Sequence, residues 1–153
     1  MEFPLTHDIT REVKEFEILS DMSLIDLVDF DMSSALKSAG WKDGQWVKTS
    51  GTTKTELSPT DSTPVKNSFC VWTGSSKTTD PTTDTFATGK LTLVSSSGWL
   101  ARTKLFNGTP AIGTLLVAKS GILYASTSTA ESLAAVGVVT GPIVDGYLPF
   151  RAI

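Results

Sequence analysis

The sequence predicts a mainly β protein, a small β-barrel or β-sandwich with an extended N-terminal arm and at most one short helix. Three observations predict it. Ser and Thr make up about a quarter of the 153 residues; Thr is β-branched and suits a half-exposed pleated surface, and both residues populate turns. From residue 66 onward, short apolar runs are separated by Gly- or Asn-containing turn signals at the spacing of a sandwich or small barrel. Before residue 65, one apolar stripe at four-residue spacing leaves room for a single helix.

In chain order, residues 1–11 read as an extended arm, because Pro4 fixes its own φ and pushes Phe3 toward extended conformations. Residues 12–153 form a single β-rich domain. Residues 12–19 place Val13, Phe16 and Ile18 between charges and are expected to form a strand. Leu24, Val28, Met32 and Leu36 recur every four residues, with Leu27, Ala35 and Ala39 beside them, and predict a helix within residues 22–39 that Gly40 ends. Ile25 and Phe30 fall off that stripe. Residues 44–48 follow a Lys42-Asp43-Gly44 turn and are read as a strand. The polar stretch 49–64, with two prolines, is expected to be a surface loop. Residues 66–73 form a strong strand, and 74–88 a second polar loop. Six further strands are expected at 90–94, 99–103, 114–118, 122–125, 136–139 and 147–151. Between them stand Ser96-Ser97-Gly98, Asn107-Gly108, Lys119-Ser120-Gly121 and Asp145-Gly146, where Gly or Asn supplies the positive φ of a hairpin turn.

Composition bounds the function classes. With 40% apolar and 19% charged residues, the chain is apolar enough to bury a core without disulfides or a metal. Its charge is uneven. Residues 1–43 hold ten acids and four bases, a net of −6, and residues 44–153 hold six acids and nine bases, a net of +3; together these give the −3 of the whole chain. The bases are scattered singly, whereas nucleic-acid binding calls for a cluster. The acidic front end is expected either to face a basic protein surface or to be solvated. No apolar run approaches the roughly 18 residues of a membrane span. Met1-Glu2-Phe3-Pro4 has neither the basic nor the apolar region of a secretory leader, so the chain is expected to be made in the cytoplasm and to remain soluble.

No catalytic set assembles from the sequence. The single cysteine, Cys70, lies in the apolar run Phe69-Cys70-Val71-Trp72 and reads as a small buried hydrophobe. The one histidine, His7, falls in the arm, so neither a thiol–imidazole pair nor a zinc site is expected. Asp26, Asp29 and Asp31 lack the glycine and terminal Glu of a calcium loop and read as surface. Gly137 and Gly141 are not followed by the Gly-Lys-Ser/Thr of a phosphate loop. The chain is therefore expected to be no enzyme and to need no cofactor or metal. Its recognition residues are expected among Phe3, Pro4 and Leu5 of the arm, which could insert into a partner. Trp41 joins them; of the four tryptophans, at 41, 46, 72 and 99, it is the one expected at the surface.

A sequence cadence covers residues 66–153: Val71-Trp72-Thr73-Gly74, Gly89-Lys90-Leu91-Thr92-Leu93, Ala101-Arg102-Thr103-Lys104-Leu105-Phe106, Ile112-Gly113-Thr114-Leu115-Leu116-Val117, Gly121-Ile122-Leu123, Ala135-Val136-Gly137-Val138-Val139 and Asp145-Gly146-Tyr147-Leu148-Pro149-Phe150-Arg151. It resembles the capsid decoration, or cement, proteins of tailed bacteriophages. The resemblance implies a structural protein on the exterior of the virion that reinforces the shell. It implies the major capsid protein as partner, a homo-oligomer or symmetric cluster on the shell, and no direct contact with nucleic acid or membrane. The acidic residues 1–43 depart from the pattern. Two other roles remain open: a tail, neck or fibre domain of a virion, and a carbohydrate-binding module stacking sugars on Trp and Tyr.

Overall fold

The computed structural model describes residues 14–50, 56–73 and 90–153. It contains eleven strands among these residues: β1 Phe16–Ile18, β2 Leu27–Met32, β3 Trp46–Ser50, β4 Glu56–Pro59, β5 Ser68–Val71, β6 Lys90–Val94, β7 Leu100–Thr103, β8 Leu115–Lys119, β9 Ile122–Ala125, β10 Gly137–Val139 and β11 Leu148–Ala152. Two short helices, α1 Ser34–Ala39 and α2 Thr129–Ser132, and a 3-10 turn at Met22–Leu24 complete the regular structure. The strands divide into a closed barrel, β2-β4-β3-β5-β6, and a six-stranded sheet, β1-β7-β11-β10-β8-β9. The mainly β barrel expected from the sequence is the fold.

Alternation along the strands builds two cores. Val28, Phe30 and Met32 on β2, Val47 on β3, Leu57 on β4, Val71 on β5 and Leu91 and Leu93 on β6 point into the barrel, where Leu36 of α1 and Trp41 join them. Their neighbours one residue away point out, as the two-residue period of a strand requires. On one side of the barrel those outward residues, Trp46, Cys70 and Val94, pack against the inner face of the sheet. There they meet Phe16, Trp99, Ala101, Leu116, Val139, Leu148 and Phe150. Strands β3, β5 and β6 are thus apolar on both faces, which explains the near-continuous run Phe69-Cys70-Val71-Trp72.

Two of the four turn signals make hairpin turns; Ser96-Ser97-Gly98 instead links β6 of the barrel to β7 of the sheet, and Asn107-Gly108 lies between β7 and β8, which do not pair. Ser120 and Gly121 have φ of 50° and 88°, and Asp145 and Gly146 have 54° and 80°. Both pairs have positive φ at two successive residues, the signature of a type I′ hairpin turn. The first joins Lys119 to Ile122 in register, and the second lies inside the Val144–Tyr147 bridge.

Other expectations also fail locally. The helix across 22–39 is a 3-10 turn, a strand and a six-residue helix in succession. In 27–32, Asp29 and Asp31 alternate with Val28, Phe30 and Met32, and this two-residue period matches the barrel wall, so pairing with β6 and β4 prevails over the four-residue stripe. Residues 56–59, expected inside a loop, form β4, whose Leu57 alone reaches the core. Trp41 is 3% exposed and belongs to the barrel interior, not the surface. It directly follows the Gly40 that ends α1, and the φ of 87° there turns the chain back over the barrel. The single-turn helix α2 is a second short helix where at most one was expected, and no apolar stripe announces it. The arm, residues 1–11 with Phe3, Pro4, Leu5 and His7, lies outside the described residues, as does the expected loop 74–88.

Candidate functional site

The chain between β1 and β2 crosses from the sheet to the barrel and carries exposed apolar side chains along its length. Leu19 is 53% exposed, Met22 43%, Leu24 68% and Leu27 45%. Local bonds fix this ledge. The Asp21 carboxylate accepts from the Ser23 N–H at 2.9 Å, Leu24 N–H donates to Asp21 O at 2.9 Å, and Ile25 N–H donates to Met22 O at 3.1 Å. The backbone N–H of Ser23 holds the Asp21 carboxyl below the ordinary carboxylate range, with the Ser23 hydroxyl adding to it. Ile25 turns inward and anchors the segment in the core between barrel and sheet.

Both ends of the ledge are tied to rigid strands. Leu19 N–H donates to Leu100 O at 2.8 Å, and Leu100 N–H donates to Ser20 Oγ at 2.7 Å. At the far end Ser95 N–H donates to Asp26 O at 2.8 Å, and Asp26 N–H to Ser96 Oγ at 3.1 Å. Exposed apolar side chains on a fixed backbone are the usual form of a protein-recognition surface, because little order is lost when they are buried.

The outer face of the six-stranded sheet continues from the ledge. Leu100 faces Arg151 across β7 and β11, Arg151 faces Val138, and Val138 faces Leu115. The C-terminal Ile153, 53% exposed, follows on the same side. Beside this row, Arg102 donates through Nε to Glu17 at 2.7 Å and stacks over the Tyr147 ring, 4.2 Å from its centre; Lys104 lies 4.9 Å from the same ring.

Other features lead elsewhere. A cleft of about 470 Å3 lies where the barrel meets the sheet, floored by Trp46, Cys70, Val94 and Trp99 and rimmed by Ser95, Ser96 and Ser97. Trp46 and Trp99 lie 6.4 Å apart with planes 14° from parallel, and Phe16 and Phe150 pack on Trp99 edge-on. Their faces are spent on one another rather than offered to a sugar. Cys70 is 1% exposed; burial pushes its thiol well up, and the nearby Asp43 charge raises it further, the opposite of an activated nucleophile. Asp29 and Asp31 are exposed on the barrel wall, and Asp29 accepts from the Thr92 hydroxyl at 2.6 Å. Among the described residues, no group of three or more His, Cys, Asp or Glu is placed to hold a metal.

Of the residues singled out from sequence as contacts, Trp41 is in the core and Phe3, Pro4 and Leu5 lie outside the described residues. Sequence pattern hides the ledge, because Leu24 and Leu27 fall on or beside the four-residue stripe that predicts a buried helix face. For Leu27 alone the sequence holds a signal, the Asp-X-Asp alternation of 29–31. It sends Val28, Phe30 and Met32 inward and leaves Leu27 with the aspartates. No protein-family model matches the sequence, and no curated protein or solved structure matches the chain.

Proposed function

We propose that this chain is a virion structural protein that binds the outer surface of a tailed-phage capsid and stabilises the shell, with the major capsid protein as its partner. The observation that carries this role is the ledge, above all Met22 and Leu24, held outward on a hydrogen-bonded turn. The resemblance of residues 66–153 to decoration proteins supplies the class of partner. Burying one such side chain contributes about 1.5–3 kcal/mol. That is a weak contact alone, and it suffices where many copies bind one symmetric shell and gain avidity. The arm, with Phe3, Pro4 and Leu5, is a second attachment element in this role.

Sedimentation of purified capsids with added protein tests the role. The wild-type chain is expected to pellet with capsids and to raise the temperature at which they release their genome, since a ligand of the assembled state stabilises it by mass action. Met22→Asp/Leu24→Asp and deletion of residues 2–11 are each expected to keep the β circular dichroism and lower capsid affinity by at least about tenfold, the equivalent of about 1.4 kcal/mol. Wild-type protein left in the supernatant, with capsid melting unchanged, rejects the capsid role. Full binding by the ledge variant rejects the ledge as the contact.

A further inference from the structure

We propose that this chain associates head to tail with copies of itself, the outer face of the six-stranded sheet of one copy seating on the acidic wall of the barrel of the next. Two surfaces of opposite charge motivate it. The sheet face carries Arg102, Lys104 and Arg151 beside two acids, Glu17 and Asp145, the second acting on Arg102 through its charge, a net of three minus two, or +1. Among the described residues, the solvent side of the barrel presents Asp29 and Asp31 from β2, with Glu56 opposite Asp31 on β4 and Lys90 opposite it on β6, a net of one minus three, or −2, for these four.

The apolar content fits as well. Leu19, Leu100, Val138 and Leu115 form a row across the sheet interrupted by Arg151 alone, and Ile153 lies beside it. The outward face of a sheet with nothing against it is ordinarily polar. On the wall, Leu27 stands in line with Asp29 and Asp31. An apolar centre flanked by charges is the composition of a protein interface, and the charges set partner and register. Because the two surfaces differ, each copy keeps one of each free after pairing. The contact is heterologous, and it closes into a ring or runs on as an array according to its rotation angle. Leu19 and Leu27, the two ends of the ledge, fall in these surfaces and Met22 and Leu24 do not, so the variants that test self-association share no residue with those that test the capsid contact.

Sedimentation velocity of the full-length chain, without capsids, is the test. At low ionic strength the wild type is expected to form oligomers that grow with concentration. Raising the salt several-fold is expected to weaken them by at least about tenfold, since exposed charges are screened. Lys104→Glu/Arg151→Glu reverses the sheet face, and Asp29→Lys/Asp31→Lys reverses the wall. Each variant alone is expected to be monomeric, and an equimolar mixture is expected to associate again, because each reversed face then meets its complement on the other variant. Where a double change impairs folding, Arg151→Glu and Asp31→Lys carry the same comparison with a smaller loss. A wild-type chain that stays monomeric at low salt overturns the proposal. So does association untouched by the wall reversal, or a mixture that stays monomeric.

Discussion

At the level of single residues, Gly44 ties the N-terminal strand to the barrel. Its φ is +87°, and a Cβ there would stand 2.4 Å from Cβ of Phe16. Both conditions act against any side chain, so Gly44→Ala is expected to cost about 2–4 kcal/mol, strain and overpacking together. Gly98 has nearly the same φ, +82°, but open space around it. Gly98→Ala is expected to cost only the strain, about 1 kcal/mol. Urea denaturation of the two variants separates the clash from the strain; equal losses would mean that Phe16 gives way freely. Cys70 is the residue most plainly settled by its surroundings. With the thiol buried and its pKa raised, a thiol reagent is expected to label it only as fast as the protein unfolds. Labelling at a rate independent of denaturant would contradict that burial.

Among the elements, α2 shows how a helix of one turn persists without an apolar stripe. Ser128 Oγ accepts from Glu131 N–H at 3.1 Å, and Glu131 Oε1 accepts in return from Thr127 N–H at 3.0 Å and from the Thr127 hydroxyl at 3.0 Å. This reciprocal pattern is close to a capping box. Lys119 Nζ lies 2.7 Å from the other carboxylate oxygen, and this contact first, then the Thr127 N–H, lowers the Glu131 pKa to about 2. A carboxyl whose pKa is depressed on folding stabilises the protein above its unfolded pKa and loses that contribution as the pH falls through the folded value. The wild type is therefore expected to lose melting temperature between about pH 4.5 and 2, and Glu131→Gln to lose less across the same window. Thermal melts at fixed ionic strength read the difference; identical slopes would show that other carboxyls carry the acid response. Strand β2 makes the complementary point. Its residues fit a helical stripe and a strand about equally well, and the open edges of β4 and β6 decide between them.

The whole molecule is held together by the aromatic layer between barrel and sheet. Trp46 comes from the barrel, Trp99 and Phe150 from the sheet, and Phe16 from the first strand, with Trp99 in contact with the other three. Trp99→Ala is expected to cost about 3–5 kcal/mol. Because this layer is shared, barrel and sheet are expected to unfold as one unit. Native-state hydrogen exchange checks it: the amides of Val71 in the barrel and Val139 in the sheet should reach the same limiting free energy. Barrel amides that survive after those of the sheet have exchanged would show two independent units.

The sequence alone determined the β class, the positions of most strands after residue 65 and the hairpin turns. These rest on local physics: the two-residue period of Leu91 and Leu93 and the positive φ that Gly121 and Gly146 accept at little cost in the two hairpins that form. It also showed Cys70 as inert, since a thiol in an apolar run without a neighbouring base has nothing to activate it. Tertiary structure alone decided that Leu24 points outward and Trp41 inward. Leu24 and Trp41 are both apolar residues beside a turn, yet one is 68% exposed and the other 3%. The difference arises because Gly40 folds Trp41 back over a barrel whose closure joins residues some sixty positions apart, β2 with β6, while the 3-10 turn holds Leu24 beyond the reach of either core. Burial is set by such long-range closures, and periodicity along the chain carries no record of them.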